Sequence, residues 1–450
     1  MIDLGAGRLA VAAGGELVAG GPERAGPERA VIDSRAVEPG DLFVGLPGAS
    51  ADGGQFAANA LEHGAWGVLV SPAHREAARA AVEGALADSA CANAAVIVAA
   101  EPLAALQRLA RVWRRELGCR VVGVTGSTGK TSTKDIMAAL LRPRARTAAS
   151  RENFNTEIGL PLTILEASRG TEAMVLEMAM RGEGQIAELA AIAEPDVGVI
   201  VNVGPVHLEL LGTLERVVAA KAELIRDLPA GAACVVPASE PLLAAHLRED
   251  LDTWTFGPGG QVQMLAMEGR RAEIEARGER LQLELPYREP HNLLNTLAAV
   301  AGARAAGFAV GGPVDVRFSA LRGEIVELSG GVVVVNDCYN ANPMSMRAAL
   351  DHLADSPAER RIAVLGTMAE LGAGSLAFHR EIGEHADALG IDVLVTVGEG
   401  ALGYAEGFDG ELHPVATPEE AGGLLEEVAR PGDRVLVKGS RSAGLERVLA

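Results

Sequence analysis

The stretch VVGVTGSTGKTSTKDIM, residues 121–137, runs from an apolar segment through a tight turn of glycine, serine and threonine into a helical segment. In such a turn the small residues let backbone N–H groups approach phosphate oxygens, and the N-terminus of the following helix favours negative charge. Lys130 would add a mobile cation, and Thr131 would offer its hydroxyl to Mg²⁺. The stretch therefore predicts a strand, a phosphate-binding loop and a helix at the centre of the fold.

The loop departs from the strict P-loop spacing. Val124 stands five residues before Gly129, where the strict pattern has glycine. The alternative to a phosphate loop is a glycine-rich turn between strand and helix that binds no ligand. Gly-Lys-Thr directly after an apolar strand favours the phosphate loop over that alternative.

Further apolar runs follow the loop, without the alternation that marks a half-exposed strand. They are residues 173–179, 197–203 and 233–236, and helical stretches separate them. Unbroken apolar strands that alternate with helices predict a parallel sheet covered on both faces. Ligands bind beyond the carboxyl ends of the strands in such sheets, so we expect a site where these runs end.

Two other units flank this central sheet. Short β-like runs at residues 41–46, 66–70 and 94–99 indicate a small α/β unit, and runs at 332–336, 362–366, 391–398 and 434–439 indicate a second doubly wound unit. A length of 450 residues also suggests about three domains. We therefore predict an α/β protein of three domains: residues 1–108, a central P-loop parallel-sheet ATPase domain at 109–319, and a doubly wound C-terminal domain at 320–450.

The composition opposes several classes of function. A formal net charge of −20 and an aromatic content of 3% disfavour binding to nucleic acid or to anionic membranes. No uninterrupted apolar run approaches the roughly 18 residues that span a bilayer, and the N-terminus lacks the basic segment of a signal peptide. Cys91, Cys119, Cys234 and Cys338 lie far apart in the sequence, as expected of reduced thiols. We expect a cytoplasmic monomer that binds no nucleic acid and does not insert into membranes.

Three ionisable residues interrupt apolar segments near the predicted site. Glu177 ends the run AMVLE, where an unpaired carboxylate is costly to bury unless it binds a metal ion; the alternative is a side chain that turns outward. His207 follows the next run, and its spacing alone indicates a structural histidine. Lys221 stands alone on an apolar helical stretch, where a lysine usually extends its ammonium to solvent. If Lys221 faces bound Mg²⁺, it must lose its proton or be carbamylated by CO₂, which would make it an anionic oxygen ligand.

Taken together, these segments resemble the Mur ligase family, whose members build the peptide stem of bacterial cell-wall precursors. The phosphate loop of that family has the pattern T-G-x-x-G-K-T, which TGSTGKT at 125–131 fits. Further similar segments lie at residues 152–165, 175–186, 202–225 and 291–295, and residues 33–48 resemble the uridine-nucleotide-binding domain of the family. The chain departs from the family pattern at Ala179, Cys338 and Thr367, where Gly, Ser and Asp are usual.

Residues 336–346, NDCYNANPMSM, are similar to the branch of the family that adds D-alanyl-D-alanine and carries D-S-Y-N-A-N-P at this point. Amino-acid-adding relatives carry an A-H-T-P type sequence here, and folylpolyglutamate synthases an A-H-N-P type. The resemblance implies ATP-dependent ligation of D-alanyl-D-alanine to UDP-N-acetylmuramoyl-tripeptide through an acyl phosphate, with ADP formed. The alternatives are another amino-acid-adding ligase of the Mur type, a ligase like folylpolyglutamate synthase, and a regulatory module that only binds ATP.

The resemblance also implies roles for individual residues. Lys130, Glu177, His207 and Lys221 would be catalytic, and Thr131, Glu177, His207 and carbamylated Lys221 would hold two Mg²⁺ ions. ATP would be bound by Thr125, Gly126, Ser127, Thr128, Gly129, Lys130, Thr131, Ser132, Asn295, Arg322, Asp337 and Asn340. Ser34 and Arg35 would contact the uridine diphosphate, Asn155 and Thr156 the muramoyl or phosphate portion, and Lys438, Ser440 and Arg441 the dipeptide.

The implied roles in the third domain have an alternative. Asp337, and the segment from Lys438 to Arg441, could each form a polar turn that binds no ligand. Because Arg322 and Asp337 lie outside the P-loop domain, the third domain would have to close onto the central one to complete the site.

Overall fold

The computed structural model describes residues 2–49, 51–84, 93–151, 153–328 and 330–449, and its strands form three sheets. The sheets have five, ten and six strands and follow one another along the chain. Helices pack against each of them. The predicted α/β class and the three-part organisation are confirmed, whereas the limits of the domains stay a prediction.

The first sheet lies between residues 16 and 98. Its elements are α1 (Ala6–Ala13), β1 (Glu16–Ala19), β2 (Ala30–Val31), β3 (Leu42–Val44), α2 (Ala57–Glu62), β4 (Gly67–Val70), α3 (Arg75–Glu83) and β5 (Ala95–Val98), and α4 (Pro102–Leu117) follows. The strand order is β1-β5-β4-β3-β2. β1 is antiparallel to β5, and the other neighbours are parallel.

The second sheet carries the phosphate loop. Its elements are β6 (Arg120–Thr125), α5 (Lys130–Leu141), β7 (Thr147–Ala149), α6 (Gly159–Glu166), β8 (Ala173–Glu177), α7 (Gln185–Ala193), β9 (Val197–Ile200), α8 (Leu208–Leu211), α9 (Leu214–Asp227), β10 (Ala233–Pro237), β11 (Asp252–Phe256), β12 (Val262–Glu268), β13 (Arg271–Ala276), β14 (Glu279–Glu284), α10 (Pro290–Ala305) and β15 (Gly312–Pro313). The strand order is β15-β14-β13-β12-β11-β10-β9-β6-β8-β7. Since β8 and β9 flank β6, the loops after these two strands lie beside the phosphate loop.

The far side of this sheet is antiparallel, which the sequence analysis did not predict. β12, β13 and β14 form two antiparallel hairpins. Residues 271–284 alternate between buried and more exposed side chains, and Arg277 and Gly278 at the second turn have φ of +49° and +82°. Two successive positive φ values are typical of the tight turn that matches the twist of a hairpin. Such half-exposed strands lack the unbroken apolar runs from which other strands of this sheet were predicted.

The third sheet begins after Leu321. Its elements are β16 (Glu324–Leu328), β17 (Val332–Asn336), α11 (Pro343–Asp355), β18 (Arg360–Gly366), α12 (Ser375–Ala388), β19 (Val393–Val397), β20 (Glu411–Val415), α13 (Pro418–Val428) and β21 (Asp433–Lys438). The order is β16-β17-β21-β18-β19-β20, and every pair is parallel except β16 with β17. β17, β18, β19 and β21 correspond to the four apolar runs, so the doubly wound arrangement predicted for this domain is confirmed.

The first and second units share one hydrophobic core. α4 packs against α1 on one side and against α6 and α7 on the other. Trp113 on α4 is fully buried, and its indole N–H donates to the carbonyl of Ala167 (2.8 Å). Residue 108 therefore falls within a helix that packs on both units.

None of the helices in the described ranges combines the length and the hydropathy that a membrane crossing needs.

Cys119, Cys234 and Cys338 are buried free thiols, and burial raises the pKa of each, to about 11 for Cys338. A thiol kept protonated by burial is a poor nucleophile, which agrees with a structural role. Cys91 lies outside the described residues.

Candidate active site

The phosphate loop joins β6 to α5. Gly129 has a left-handed conformation (φ +75°), and a Cβ atom there would lie 2.4 Å from Oδ1 of Asn295, so the position accepts glycine alone. This approach places Asn295, the residue predicted to contact adenine, directly against the loop. The Nζ of Lys130 donates to the carbonyl of Gly126 (2.8 Å), so the lysine is folded back over the loop.

Asn202, which the sequence analysis did not identify, holds the loop from the end of β9. Its Oδ1 accepts hydrogen bonds from the backbone N–H groups of Ser127 (3.1 Å) and Thr128 (3.0 Å). Two loop amides expected to hold phosphate are therefore already paired, and the first amides of α5 remain for that role. A signal was available, because Asn202 is the polar residue that ends the run VGVIV, just as Glu177 ends its own run.

Replacing Asn202 with Ala should weaken ATP binding without unfolding the protein. The N–H of Thr128 would lose its acceptor, whereas the N–H of Ser127 would keep the backbone carbonyl of residue 202 (3.2 Å). A buried N–H left without an acceptor costs about 1–3 kcal/mol, so the loop would relax away from its ordered shape. We expect the Kd for ATP, measured by isothermal titration calorimetry, to rise about tenfold, since 1.4 kcal/mol corresponds to that factor. A variant with the ATP affinity of the parent would contradict this role for Asn202.

Glu177 is buried at the end of β8, with 1% of its surface exposed, so its side chain does not turn outward. Its Oε2 accepts a hydrogen bond from the hydroxyl of Thr131 (2.7 Å). Its Oε1 accepts another from Nδ2 of Asn155 (2.9 Å), whereas the neighbouring Thr156 is exposed. Asn155, predicted to lie near the muramoyl or phosphate portion of the substrate, thus contacts the predicted metal ligand directly.

Lys221 lies on α9 with only 2% of its surface exposed, so its ammonium does not extend to solvent. Burial lowers the pKa of Lys221 well below its usual value, and the charge of Lys130 lowers it further. Among the described residues no carboxylate offsets this shift. In the resting protein the Lys221 side chain is accordingly shifted toward the neutral amine.

His207 immediately precedes α8, and its Nδ1 contacts Oε2 of Glu370, which belongs to the third domain. Burial lowers the pKa of His207, and the Glu370 carboxylate opposes that shift. The charges of Lys221 and Lys130 lower the His207 pKa further. Neither His207 nor Lys221 lines the cavity between the second and third domains, and their roles as metal ligands stay a prediction.

A cavity of ≈ 670 Å³ lies between the second and third domains. Predicted ATP, metal and dipeptide residues in its lining are Ser127, Thr128, Gly129, Lys130, Thr131, Ser132, Glu177, Asn295, Arg322, Asp337, Asn340 and Lys438. Thr125 at the end of β6 and Gly126 directly precede this set. The two domains thus meet around one cavity, which is the arrangement that closure of the third domain requires.

Arg322 brings a second cation to this cavity. Its guanidinium stacks on Tyr339, with Cζ 4.1 Å from the ring centroid. Its Nε is buried and has no hydrogen-bond partner within the part of the chain that the structure describes. Burial lowers the pKa of Lys130, Glu177 opposes the shift and Arg322 adds to it. An unpaired N–H and two repelling cations fit a polyanion, which would satisfy the donor and screen the repulsion.

The last strand of the third sheet departs from expectation. The ammonium of Lys438 is almost fully buried and pairs with Oδ2 of Asp337 (2.6 Å), and it also donates to the carbonyl of Asn340 (3.0 Å). Lys438 therefore braces the segment after β17 instead of presenting a free cation to a dipeptide. Ser440 is buried and accepts a hydrogen bond from the N–H of Ala369 (2.9 Å), and Arg441 is exposed, 3.5 Å from Glu446.

The predicted nucleotide contacts of the first domain lie on a surface turn. Ser34 and Arg35 begin a short 3₁₀ helix, and the guanidinium of Arg35 forms a two-pronged ion pair with Asp33. That pair lowers the pKa of Asp33 to about 2, through the hydrogen bonds from Arg35. A diphosphate would have to compete with Asp33 for Arg35, and the contact stays a prediction.

The metal ligands are sparse. No group of three or more His, Cys, Asp and Glu side chains converges as a metal site within the described ranges. Mg²⁺ is usually bound by one or two carboxylates and completes its octahedral shell with water and substrate phosphates. Glu177 beside the hydroxyl of Thr131 fits that mode, because a phosphate bound by the loop would supply the missing oxygens.

Three family models match the chain in succession. They are "Mur ligase family, catalytic domain" at residues 30–114, "Mur ligase middle domain" at 124–303 and "Mur ligase, glutamate ligase domain" at 321–441. The chain is 37% identical over 500 residues to UDP-N-acetylmuramoyl-tripeptide–D-alanyl-D-alanine ligase of Mycobacterium tuberculosis, an alignment that covers 100% of this chain and 97% of the relative.

Solved structures agree with that similarity. A crystal structure of MurF from Acinetobacter baumannii superposes with a TM-score of 0.83 at 27% identity, covering 98% of this chain and 96% of the other. MurF ligase from Thermotoga maritima, solved in complex with ADP, superposes with a TM-score of 0.78 at 32% identity, covering 94% and 96%. The chain therefore belongs to the Mur ligase family.

Proposed function

We propose that this enzyme joins D-alanyl-D-alanine to the terminal carboxylate of UDP-N-acetylmuramoyl-tripeptide and converts ATP to ADP and phosphate. The observation that carries the proposal is the cavity that Lys130, Arg322 and Glu177 line together, with the buried Nε of Arg322 unpaired among the described residues. The segment NDCYNANP contributes to the same cavity, and the relatives named above support the choice of substrates. We also propose that it acts in the cytoplasm as a monomer.

The reaction would proceed in two displacements. The tripeptide carboxylate attacks the γ-phosphorus of ATP, ADP departs and an acyl phosphate forms. The amine of the dipeptide then attacks the acyl carbon, and phosphate leaves as the amide bond forms. Lys130 and Arg322 would hold the phosphates, so that most of the rate enhancement comes from alignment and charge neutralisation.

Glu177 and Thr131 would hold one Mg²⁺, and His207 with carbamylated Lys221 would hold a second. The ions would offset the repulsion between the carboxylate and the triphosphate, both of which are anionic. The neutral amine is the form of lysine that attacks CO₂, and the resulting carbamic acid loses a proton to become an anionic ligand. Asn155 would orient Glu177 through its hydrogen bond to Oε1.

Contacts to the rest of the nucleotide would come from both sides of the cavity. Asn295 would pack on adenine, and Asp337 would reach the ribose while Lys438 keeps its carboxylate in place. Ser34 and Arg35 would contact the uridine diphosphate.

One assay tests the proposal. The purified protein is incubated with ATP, Mg²⁺, UDP-N-acetylmuramoyl-tripeptide and D-alanyl-D-alanine, and phosphate release and product mass are measured. We expect phosphate release that depends on the dipeptide and a product heavier than the acceptor by one dipeptide residue. No dipeptide-dependent release would remove the proposal.

The same assay separates the alternatives. An amino-acid-adding ligase would respond to a single amino acid with a shorter UDP-linked acceptor, and a folylpolyglutamate synthase-like ligase would respond to a folate with glutamate. A regulatory module would bind ATP without releasing phosphate under any of these conditions. The YNANP segment, at residues 339–343, favours the dipeptide over the other acceptors.

A further inference from the structure

Glu370 lies in the loop after β18 and connects the third domain to two loops of the second. One carboxylate oxygen contacts Nδ1 of His207, which follows β9. The other lies 3.5 Å from Nε of Arg181, which follows β8. The carboxylate of Glu370 therefore bridges the loops that follow β8 and β9, the two strands on either side of β6.

The backbone next to Glu370 docks as closely as its side chain. The N–H of Glu209 donates to the carbonyl of Glu370 (3.1 Å). A Cβ atom at Gly372 would lie 3.2 Å from Cα and 3.3 Å from N of Glu209, and Gly372 has φ +63°. We call residues 370–372 the docking segment. A side chain at position 372 would press on the backbone of Glu209, so glycine allows the closest fit against residues 207–209.

Two residues at this contact have backbone conformations that residues other than glycine rarely adopt. His207 has φ +54° and Glu370 has φ +61°. Non-glycine residues held in the left-handed region persist when their surroundings determine them, and they cluster at functional sites. Their meeting across the domain boundary therefore indicates a contact with a role beyond packing.

Hydrogen bonds within the third domain hold the loop that carries Glu370 in a fixed position. The backbone N–H of Met368 donates to Nε2 of the buried His379 (2.9 Å). The N–H of Ala369 donates to Oγ of Ser440 (2.9 Å), and the hydroxyl of the buried Tyr404 donates to the carbonyl of Gly366 (2.9 Å). A carboxylate on so constrained a loop reaches His207 only when the two domains are together.

We propose that Glu370 is a positioning residue that couples closure of the third domain to the orientation of His207. In the closed state its carboxylate accepts the Nδ1–H of His207, which leaves Nε2 unprotonated and available as a ligand. When the domains separate, His207 loses this partner and its ring is free to change tautomer and orientation. The reaction centre is then complete only after closure; this last step rests on the proposed function.

The test compares variants by their domain closure, which can be measured without catalytic turnover. Glu370→Ala removes the carboxylate, and Glu370→Gln keeps an oxygen that can accept the Nδ1–H. Gly372→Ala crowds the backbone of Glu209 with its Cβ atom and so weakens docking. Gly390→Ala is the matched control, because Gly390 lies in the same domain with a similar φ of +66° and no atom within 4 Å of its added Cβ.

Two measurements are made on the full chain with AMP-PNP and Mg²⁺. Small-angle X-ray scattering reports the separation of the domains, and ¹⁵N spectra of histidine-labelled protein, assigned with His207→Gln, report the His207 tautomer. We expect Glu370→Ala and Gly372→Ala to be more expanded than the parent and to show a mixture of His207 tautomers. Glu370→Gln should lie between them and the parent, and Gly390→Ala should match the parent.

The proposal is overturned if Glu370→Ala and Gly372→Ala scatter like the parent and keep its His207 tautomer, or if Gly390→Ala expands as much as Gly372→Ala. These readouts are independent of ligation. If the parent fails to ligate but its closure depends on Glu370, the proposed function is wrong and the coupling stands. If the parent ligates but these variants do not affect closure, the proposed function stands and the coupling is wrong.

Discussion

Replacing Lys221 with Met is expected to abolish ligation, by at least about a thousandfold in kcat, while the protein remains folded. A carbamate at this position would be one of two protein ligands of the second ion, and stabilisation worth several kcal/mol at the transition state corresponds to a factor of that size. Methionine fills a similar volume on α9 but offers no oxygen. Full activity of Lys221→Met in the dipeptide-dependent phosphate assay would exclude the carbamate role.

The chemical identity of the ligand is tested separately. ¹³C-bicarbonate should produce a carbamate resonance in the parent that is absent from Lys221→Ala. Added bicarbonate should not restore activity to Lys221→Ala, because the variant has no amine to react. A short carboxylate such as formate could occupy the vacated space and restore a fraction of turnover, which would identify an anionic oxygen as the missing group.

The stability of Lys221→Met should rise relative to the parent as the pH falls. Burial lowers the pKa of Lys221 in the folded state, so between that value and the usual value near 10.5 the unfolded chain binds more protons at this position than the folded protein. Such a group destabilises the folded state increasingly as pH falls through this window, and methionine removes the effect. Urea unfolding in CO₂-free buffer at pH 7 and pH 10 should show the larger gain at pH 7.

Lys134 is the matched control for these experiments. It is also a buried lysine of the second domain, on α5, but it donates to the carbonyl of Ser150 (2.8 Å) and pairs with Asp135 (2.6 Å). Lys134→Met would leave the Asp135 carboxylate without its cation, and breaking such a pair costs about 3 kcal/mol. We expect the two substitutions to have opposite effects on stability. Lys134 has a carboxylate partner, whereas no carboxylate in the described ranges offsets the burial of Lys221.

The sequence predicts the strands around these lysines, but not which of the two lysines lacks a carboxylate partner among the described residues. Apolar runs predicted β6, β8, β9 and β10 and hence the edge at which the phosphate loop lies, because a strand buried on both faces has a simple signature. Burial of Lys221 was not predictable in that way, since its neighbours on an apolar helix are equally compatible with an ammonium that reaches solvent. The family resemblance supplied that placement.

Contacts between distant parts of the chain account for most of what was missed. His207 and Glu370 are separated by 163 residues, and Ser127 and Asn202 by 75. No local pattern specifies which strand ends will meet. The pairing of Lys438 with Asp337 was likewise hidden, because it depends on β21 lying beside β17 in the third sheet.

Replacing Glu177 with Gln is expected to lower kcat by about a hundredfold to a thousandfold and to raise the Mg²⁺ concentration needed for half-maximal activity. The substitution is nearly isosteric. The Gln oxygen can keep the hydrogen bond from Asn155, and the hydroxyl of Thr131 can rotate to accept one from the new amide group. The fold should therefore persist, and the loss should come from the missing negative charge beside the phosphate loop.

Glu223 provides the control for a buried carboxylate in the same domain. It lies on α9 with 5% of its surface exposed, and its oxygens accept hydrogen bonds from the N–H groups of Gly184 (2.6 Å) and Ala187 (3.0 Å) at the start of α7. Glu223→Gln can accept only one of these bonds well, so it should lose about 1–2 kcal/mol of stability and keep the Mg²⁺ dependence of the parent. If Glu177→Gln instead loses stability and keeps its Mg²⁺ dependence, then Glu177 supports the phosphate loop structurally and a metal ion must be held elsewhere.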